Sequence, residues 1–179
     1  MADAGYQKPS NAILVAGDPL VQFLKIETVT NCYAGRLVKK GTNDDDVVVC
    51  GAGEKPGGWL GYEQTHKQYR PATVDTIYKA DDQAAVLNGG RFVIVARLAN
   101  GETVSKNDPL VAAANGEVKA ASALAVAVPS GATPVTSDAA QPDLTESGSI
   151  PPEGMIVAIA EESVDASGGA EDIMVRSLI

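Results

Sequence analysis

From Ala12 onward the chain is cut into short β-branched runs, each closed by Gly, Pro, Asn or Asp: NAILVAG, LVQFLKIETVT, GRLVKKG, DDVVVCG and GRFVIVARLANG are the clearest. A helix needs apolar residues three and four apart, whereas a strand needs them at every second position between turn formers. Punctuation this dense predicts an all-β fold. The run Phe92–Leu98 adds an architectural constraint, because Phe92, Ile94, Ala96 and Leu98 fall on one face and Val93 and Val95 on the other. A strand apolar on both faces until Arg97 belongs inside a barrel or sandwich, or under a partner strand.

The turns carry their own chemistry. Asn100-Gly101 and Asn115-Gly116 supply the positive-φ residues of tight two-residue hairpins and predict a meander, with Pro109 opening a strand whose first amide needs no partner. GMIVAIAEES and EDIMVRSLI read as two more strands, the last with Ile173, Val175, Ser177 and Ile179 on one face. One stretch, residues 73–88, fits a helical stripe through Val74, Ile77, Tyr78, Ala84, Ala85 and Leu87 with Gly89 as its stop; a loop with one or two helical turns competes. Residues 1–11 read as an extended N-terminal arm and residues 12–179 as one barrel-like domain. Within it, residues 129–153, rich in Pro, Ser and Thr and without aromatics, read as one long surface loop.

Charge and composition remove several function classes. Lys plus Arg number 14 against 23 Asp plus Glu, a net charge of −9, and an acidic surface repels phosphate backbones, so no nucleic-acid partner is expected. No apolar run reaches the ~18 residues of a membrane span, and MADAGYQKPSN lacks the apolar core of a secretory signal. Synthesis in a cytoplasm and no membrane partner are the expectation. Cys32 and Cys50 read as buried structural thiols, with one bridge between them the only disulfide the composition permits. The single histidine, His66, sits in the polar EQTHKQYRP and reads as a surface residue.

Other candidate chemistry resolves into structure. GAGEKPGGWLG has G-x-G and Lys55, but Lys55 is followed by Pro56 rather than by a Ser or Thr opening a helix, so the segment reads as a wide turn and not a phosphate loop. Trp59, between glycines and near Tyr62, reads as a core plug at a barrel end or as an interface anchor. Asn43 to Asp46 are contiguous where calcium loops space their ligands alternately, which points to a solvated hairpin tip. The adjacent pair Glu161 and Glu162 points to opposite faces if the strand runs through it. Nothing assembles nucleophile, base and oxyanion donors, so no enzyme, cofactor or metal is expected.

The order of these segments resembles the head decoration, or capsid cement, proteins of tailed viruses. The likeness runs from about Leu20 onward through AGRLVKKG, DVVVCG, GWLGY, ARLANGETVSKNDPLVAAANGEVKAA and GMIVAIAEESVDASGGAEDIMVRSLI. Gly101, Val104, Asp108, Pro109 and Leu110, then Asn115, Gly116 and Val118, then Ile159, Ala160 and Glu162 carry the pattern. The resemblance implies a compact β-barrel or β-tulip on the outer surface of an icosahedral head, clamping adjacent major capsid subunits. Such proteins assemble with copies of themselves, as a trimer or a dimer. In that setting the arm residues Tyr6, Lys8 and Pro9 are expected to touch the capsid or a neighbour, and Trp59 and Tyr62 another copy. Two other classes compete. The central segment also looks like the first half of a biotinyl or lipoyl carrier, with Lys119 as the modified residue, although Asn115-Gly116 already occupies the hairpin tip. A carbohydrate-binding β-sandwich is the third, disfavoured because only eight aromatic residues (one Trp, five Tyr, two Phe) are available for stacking.

Overall fold

The computed structural model describes residues 7–9, 12–62, 77–121 and 155–179. They contain thirteen strands: β1 Leu14–Ala16, β2 Leu20–Ile26, β3 Leu37–Lys40, β4 Asp46–Val49, β5 Gly58–Gly61, β6 Gln83–Asn88, β7 Val93–Leu98, β8 Thr103–Val104, β9 Pro109–Ala112, β10 Val118–Ala120, β11 Ala158–Ala160, β12 Val164–Asp165 and β13 Glu171–Ser177. The fold is all-β, and its barrel is doubled. β2, β4, β3, β5 and β6 close one small barrel in that order. The second sheet runs β1-β7-β10-β9-β11-β13, and β13 returns to pair with β7 from Glu171↔Leu98 to Arg176↔Val93, closing five of its strands into a second ring. A short β8–β12 ladder is appended. No helix among the described residues is long and apolar enough to cross a membrane.

Glycine lets the first barrel close tightly. All four residues of β5, GWLG, are buried, and a Cβ at Gly58 would lie 2.6 Å from Val86 Cγ1 and 2.8 Å from the Leu87 carbonyl oxygen. The strand can therefore press flat on β6, where Trp59 pairs with Leu87. One hydrophobic cluster runs through both barrels, taking Ile26, Leu37, Trp59 and Leu87 from the first and Phe92, Ile94, Leu110, Val118 and Ile173 from the second. Trp59 Nε1 donates to Ser177 Oγ at 3.0 Å, so the deepest ring of the first barrel is tied to the last strand of the second. A smaller cluster of Val93, Val95 and Met174, with Val15 and Ala16 of β1 against it, covers the outer face of β7. The strand expected to be apolar on both faces is buried on both.

Three local expectations change. Residues 83–88, part of the helical stripe, form β6; Ala84, Ala85, Val86 and Leu87 are all buried, and β2 and β5 pair with the two edges. Four consecutive small or apolar residues serve a strand enclosed on both faces, whereas a surface helix would leave part of that run in water. The Asn100-Gly101 turn makes no β7–β8 hairpin, because β8 pairs with β12 and the Gly101 amide donates to the Ala166 carbonyl at 2.9 Å. Asn115 and Gly116 do take positive φ, 59° and 68°, and join β9 to β10, but as a 3-10 turn over Ala114–Gly116 rather than a two-residue loop. Pro109 opens β9 as expected. The loop expected at 129–153 and the His66 segment lie outside the described residues.

Candidate interaction surface

The most exposed apolar element is β2. Its residues from Leu20 to Phe23 are all exposed, with Leu20 at 68%, Val21 at 42% and Phe23 at 58%, while Ile26 at its far end is fully buried. The Gly89-Gly90 turn extends the patch: Leu20 lies against Gly89, Gly90 against the backbone of Leu178, and the Leu178 side chain is 49% exposed. Large apolar side chains grouped in this way on a strand mark an interaction surface, whereas scattered ones do not.

The backbone of β2 is open on the same side. It pairs with β6 along six residues, Leu20↔Asn88 to Lys25↔Gln83, but with β4 at Lys25↔Asp46 and Ile26↔Val47 alone. The Ile26 amide donates to Asp82 beside β6 at 2.9 Å, and the Lys25 amide donates to Asp45 beside β4 at 2.8 Å. Backbone groups alternate sides along a strand, so those of Val21 and Phe23 point away from β6, past the start of β4. Among the described residues nothing pairs with that edge.

The residues expected to make contacts are placed differently. Lys8 Nζ is held by this chain, 2.6 Å from Glu162 Oε1 and donating to the Asp172 carbonyl at 2.7 Å, with Pro9 beside it in sequence; Tyr6 lies outside the described residues. Trp59 is fully buried and Tyr62 is 5% exposed, its ring centroid 5.4 Å from that of Tyr78. Neither ring presents a face to a second copy, because the interior of one chain already uses both. The Tyr78 hydroxyl in turn donates to the Gly61 carbonyl. Lys119 stands within β10, paired with Val111, away from the hairpin tip where a carrier lysine would be exposed. Sequence patterning could not have singled out the β2 surface, because LVQFLKI has the composition of a buried strand.

Several charged groups among the described residues pair within the chain. A cleft of roughly 380 Å³ between the barrels holds Tyr33, Arg36, Arg97 and Asp172, but Arg36 pairs with Glu117 at 2.5 Å and Arg97 with Asp172 at 2.9 Å. The guanidinium of Arg36 also lies over the Tyr33 ring, 5.8 Å from its centroid, on the surface a sugar would stack against. At the acidic tip, Asp46 is 3% exposed; Asn43 donates to its Oδ2 at 2.6 Å, and Lys25 Nζ lies 3.5 Å from Oδ1 and 3.3 Å from Asp81. The Asn43 hydrogen bond, with help from Lys25, holds the Asp46 carboxyl below the usual range against the opposing effect of burial. No group of three or more His, Cys, Asp or Glu fit to hold a metal occurs among the described residues.

Cys32 and Cys50 are free and buried, and burial pushes each thiol up to about 11. The folded chain therefore keeps protons that the unfolded chain releases from about pH 9. Stability contributed by the buried neutral thiols is intact below pH 9 and is lost as pH rises through 11. A thiol reagent at pH 8 is expected to modify neither cysteine until denaturant unfolds the chain, and then both; prompt labelling of the native protein would contradict the burial.

The model of the XM1 gp53 minor capsid protein family matches residues 6–162. The chain belongs to this family. The XM1 gp53 match runs from the arm across the first barrel and through β11 of the second, so it takes in the whole first barrel and every strand of the second sheet except β13. Family membership makes the chain a capsid-associated structural protein of a phage. Among solved structures it is similar to the head fiber gp8.5 N base of bacteriophage phi29, with 10% sequence identity, a TM-score of 0.48 and coverage of 89% of this chain and 94% of that one. No curated protein matches it.

Proposed function

We propose that this member of the XM1 gp53 family sits on the outer surface of the phage head, where it cements the expanded shell by bridging adjacent major capsid subunits as a homo-oligomer. The observation that carries the reading is the family match across 6–162, joined to a fold whose described interior is packed and whose charged clefts are closed by internal ion pairs. Such a chain offers surfaces for contact. Many modest contacts repeated over a lattice sum by avidity and oppose the pressure of packaged DNA. The arm around Tyr6, Lys8 and Pro9 is assigned to the capsid or a neighbouring subunit.

Quantitative mass spectrometry of gently purified particles tests this. A copy number in simple ratio to the major capsid protein is expected; absence from particles would reject the reading. Deleting residues 1–11 is expected to lower retention on particles severalfold. It also removes the partly exposed Lys8–Glu162 pair, whose loss costs no more than about 1 kcal/mol, so the isolated chain should melt within a few degrees of the parent. Equal retention of both forms would remove the arm from the contact.

A further inference from the structure

We infer that β2 is a self-association edge, which pairs antiparallel with β2 of a second copy about a two-fold axis at Gln22. This names a surface for the self-association proposed above, and it stands independently of whether the chain cements a capsid. The open edge is short and bracketed. Lys25 closes one end, since its amide already donates to Asp45 at 2.8 Å, and Pro19 closes the other because it has no amide to donate. Between them only Val21 and Phe23 carry outward backbone groups.

The bracket runs from 19 to 25, so its centre is residue 22. A two-fold there sets Val21 against Phe23 of the second copy, and Phe23 against its Val21. Each such pair can exchange two N–H···O=C bonds, which satisfies every outward group in the window. The same register gathers both Val21 and both Phe23 side chains on one face, and sets Leu20 against Leu24 of the second copy on the other. The exposed apolar residues Leu20, Val21 and Phe23 of one chain are thereby covered by residues of the same strand in the other. Self-complementarity of this kind is what a two-fold interface requires, and it favours a second copy over an unrelated strand. The exposed parts of Leu20, Val21, Phe23 and Leu178 amount to roughly 400 Å² per copy. Their two-copy total is about half of a standard interface of ~1,600 Å², in the range of weak encounters, so a weak dimer in solution is expected, reinforced when copies are held side by side.

Sedimentation equilibrium of the isolated full chain, up to a concentration of about 0.5 mM, is expected to show reversible association to twice 18.4 kDa. A species that stays monomeric, or that associates in threes, overturns the pairing. Val21→Pro deletes an amide that points away from β6, so the barrel should keep its melting temperature while dimer affinity falls at least tenfold. Gln22→Cys is the register test: at the axis the two cysteines face each other across a non-hydrogen-bonded pair, within disulfide reach. Oxidation should yield a covalent dimer in high yield, while Leu20→Cys, whose equivalents stand about 14 Å apart, should not cross-link. The native thiols are buried and do not compete. A Gln22→Cys chain that stays uncrosslinked, or Leu20→Cys linking as well, would show that the edge or its register is wrong. Because no particle is involved, either failure is separate from failure of the capsid reading.

Discussion

Replacing Trp59 with alanine is expected to destabilise the chain by about 3–5 kcal/mol, the range for truncating a fully buried large aromatic. At 2–4 °C per kcal/mol for a chain of this size, the melting temperature should fall by roughly 6–20 °C. The ring is completely enclosed, it packs in the cluster shared by both barrels, and its indole N–H is held by Ser177 Oγ at 3.0 Å. Trp59→Phe separates these contributions: it keeps most of the apolar volume and loses the donor, so a cost nearer 1–2 kcal/mol is expected. Ser177 still donates to the Ile179 carbonyl at 2.8 Å, which limits the penalty on its side. Urea unfolding followed by circular dichroism reads all three chains, since both variants lose the only tryptophan. An alanine variant as stable as the parent would mean that the ring does not join the barrels.

The second large effect is expected at Gly116. Its φ is +68°, and a Cβ there would stand 2.6 Å from the Leu37 carbonyl oxygen and 3.0 Å from both Arg36 Cβ and Val49 Cγ1. Its amide donates to the Cys50 carbonyl at 2.8 Å. The β9–β10 turn thus seats the second barrel on β3 and β4 of the first through a contact that admits no side chain. Gly116→Ala combines left-handed strain with a backbone collision and should cost about 3 kcal/mol. Gly101→Ala is the control: its φ is +87° but nothing lies within 4 Å of the added atom, so about 1 kcal/mol is expected from strain alone. Equal costs at the two sites, measured by urea unfolding, would show that the turn yields and that the barrels are not seated there.

Both predictions concern contacts between barrels, and those contacts divide what was legible in the sequence from what was not. The strands themselves were legible. The inward set Ile173, Val175 and Ser177 is buried as its alternation requires, Pro109 starts β9, and both faces of β7 are covered. The misread stretch at 83–88 shows the limit of periodicity: Ala84, Ala85 and Leu87 satisfy a helical spacing and a doubly buried strand equally well. Trp59 was marked as a core plug or an interface anchor, and only its neighbours decided between them. Residues 1–11 read as an extended arm, and nothing local in the sequence shows that Lys8 is held by Glu162 and the Asp172 carbonyl, more than 150 residues away.

The interaction surface was the least legible part. LVQFLKI is written like its neighbours, and its exposure arises because β4 meets β2 only at Lys25 and Ile26. By itself the sequence determined the all-β class, most strand positions and the acidic surface, because alternation, turn residues and charge act within a few residues of one another. The tertiary structure alone decided that there are two barrels joined through Trp59 and Gly116, and that one apolar strand is left open. Which strands pair depends on contacts between residues far apart in the chain, and no local pattern encodes them.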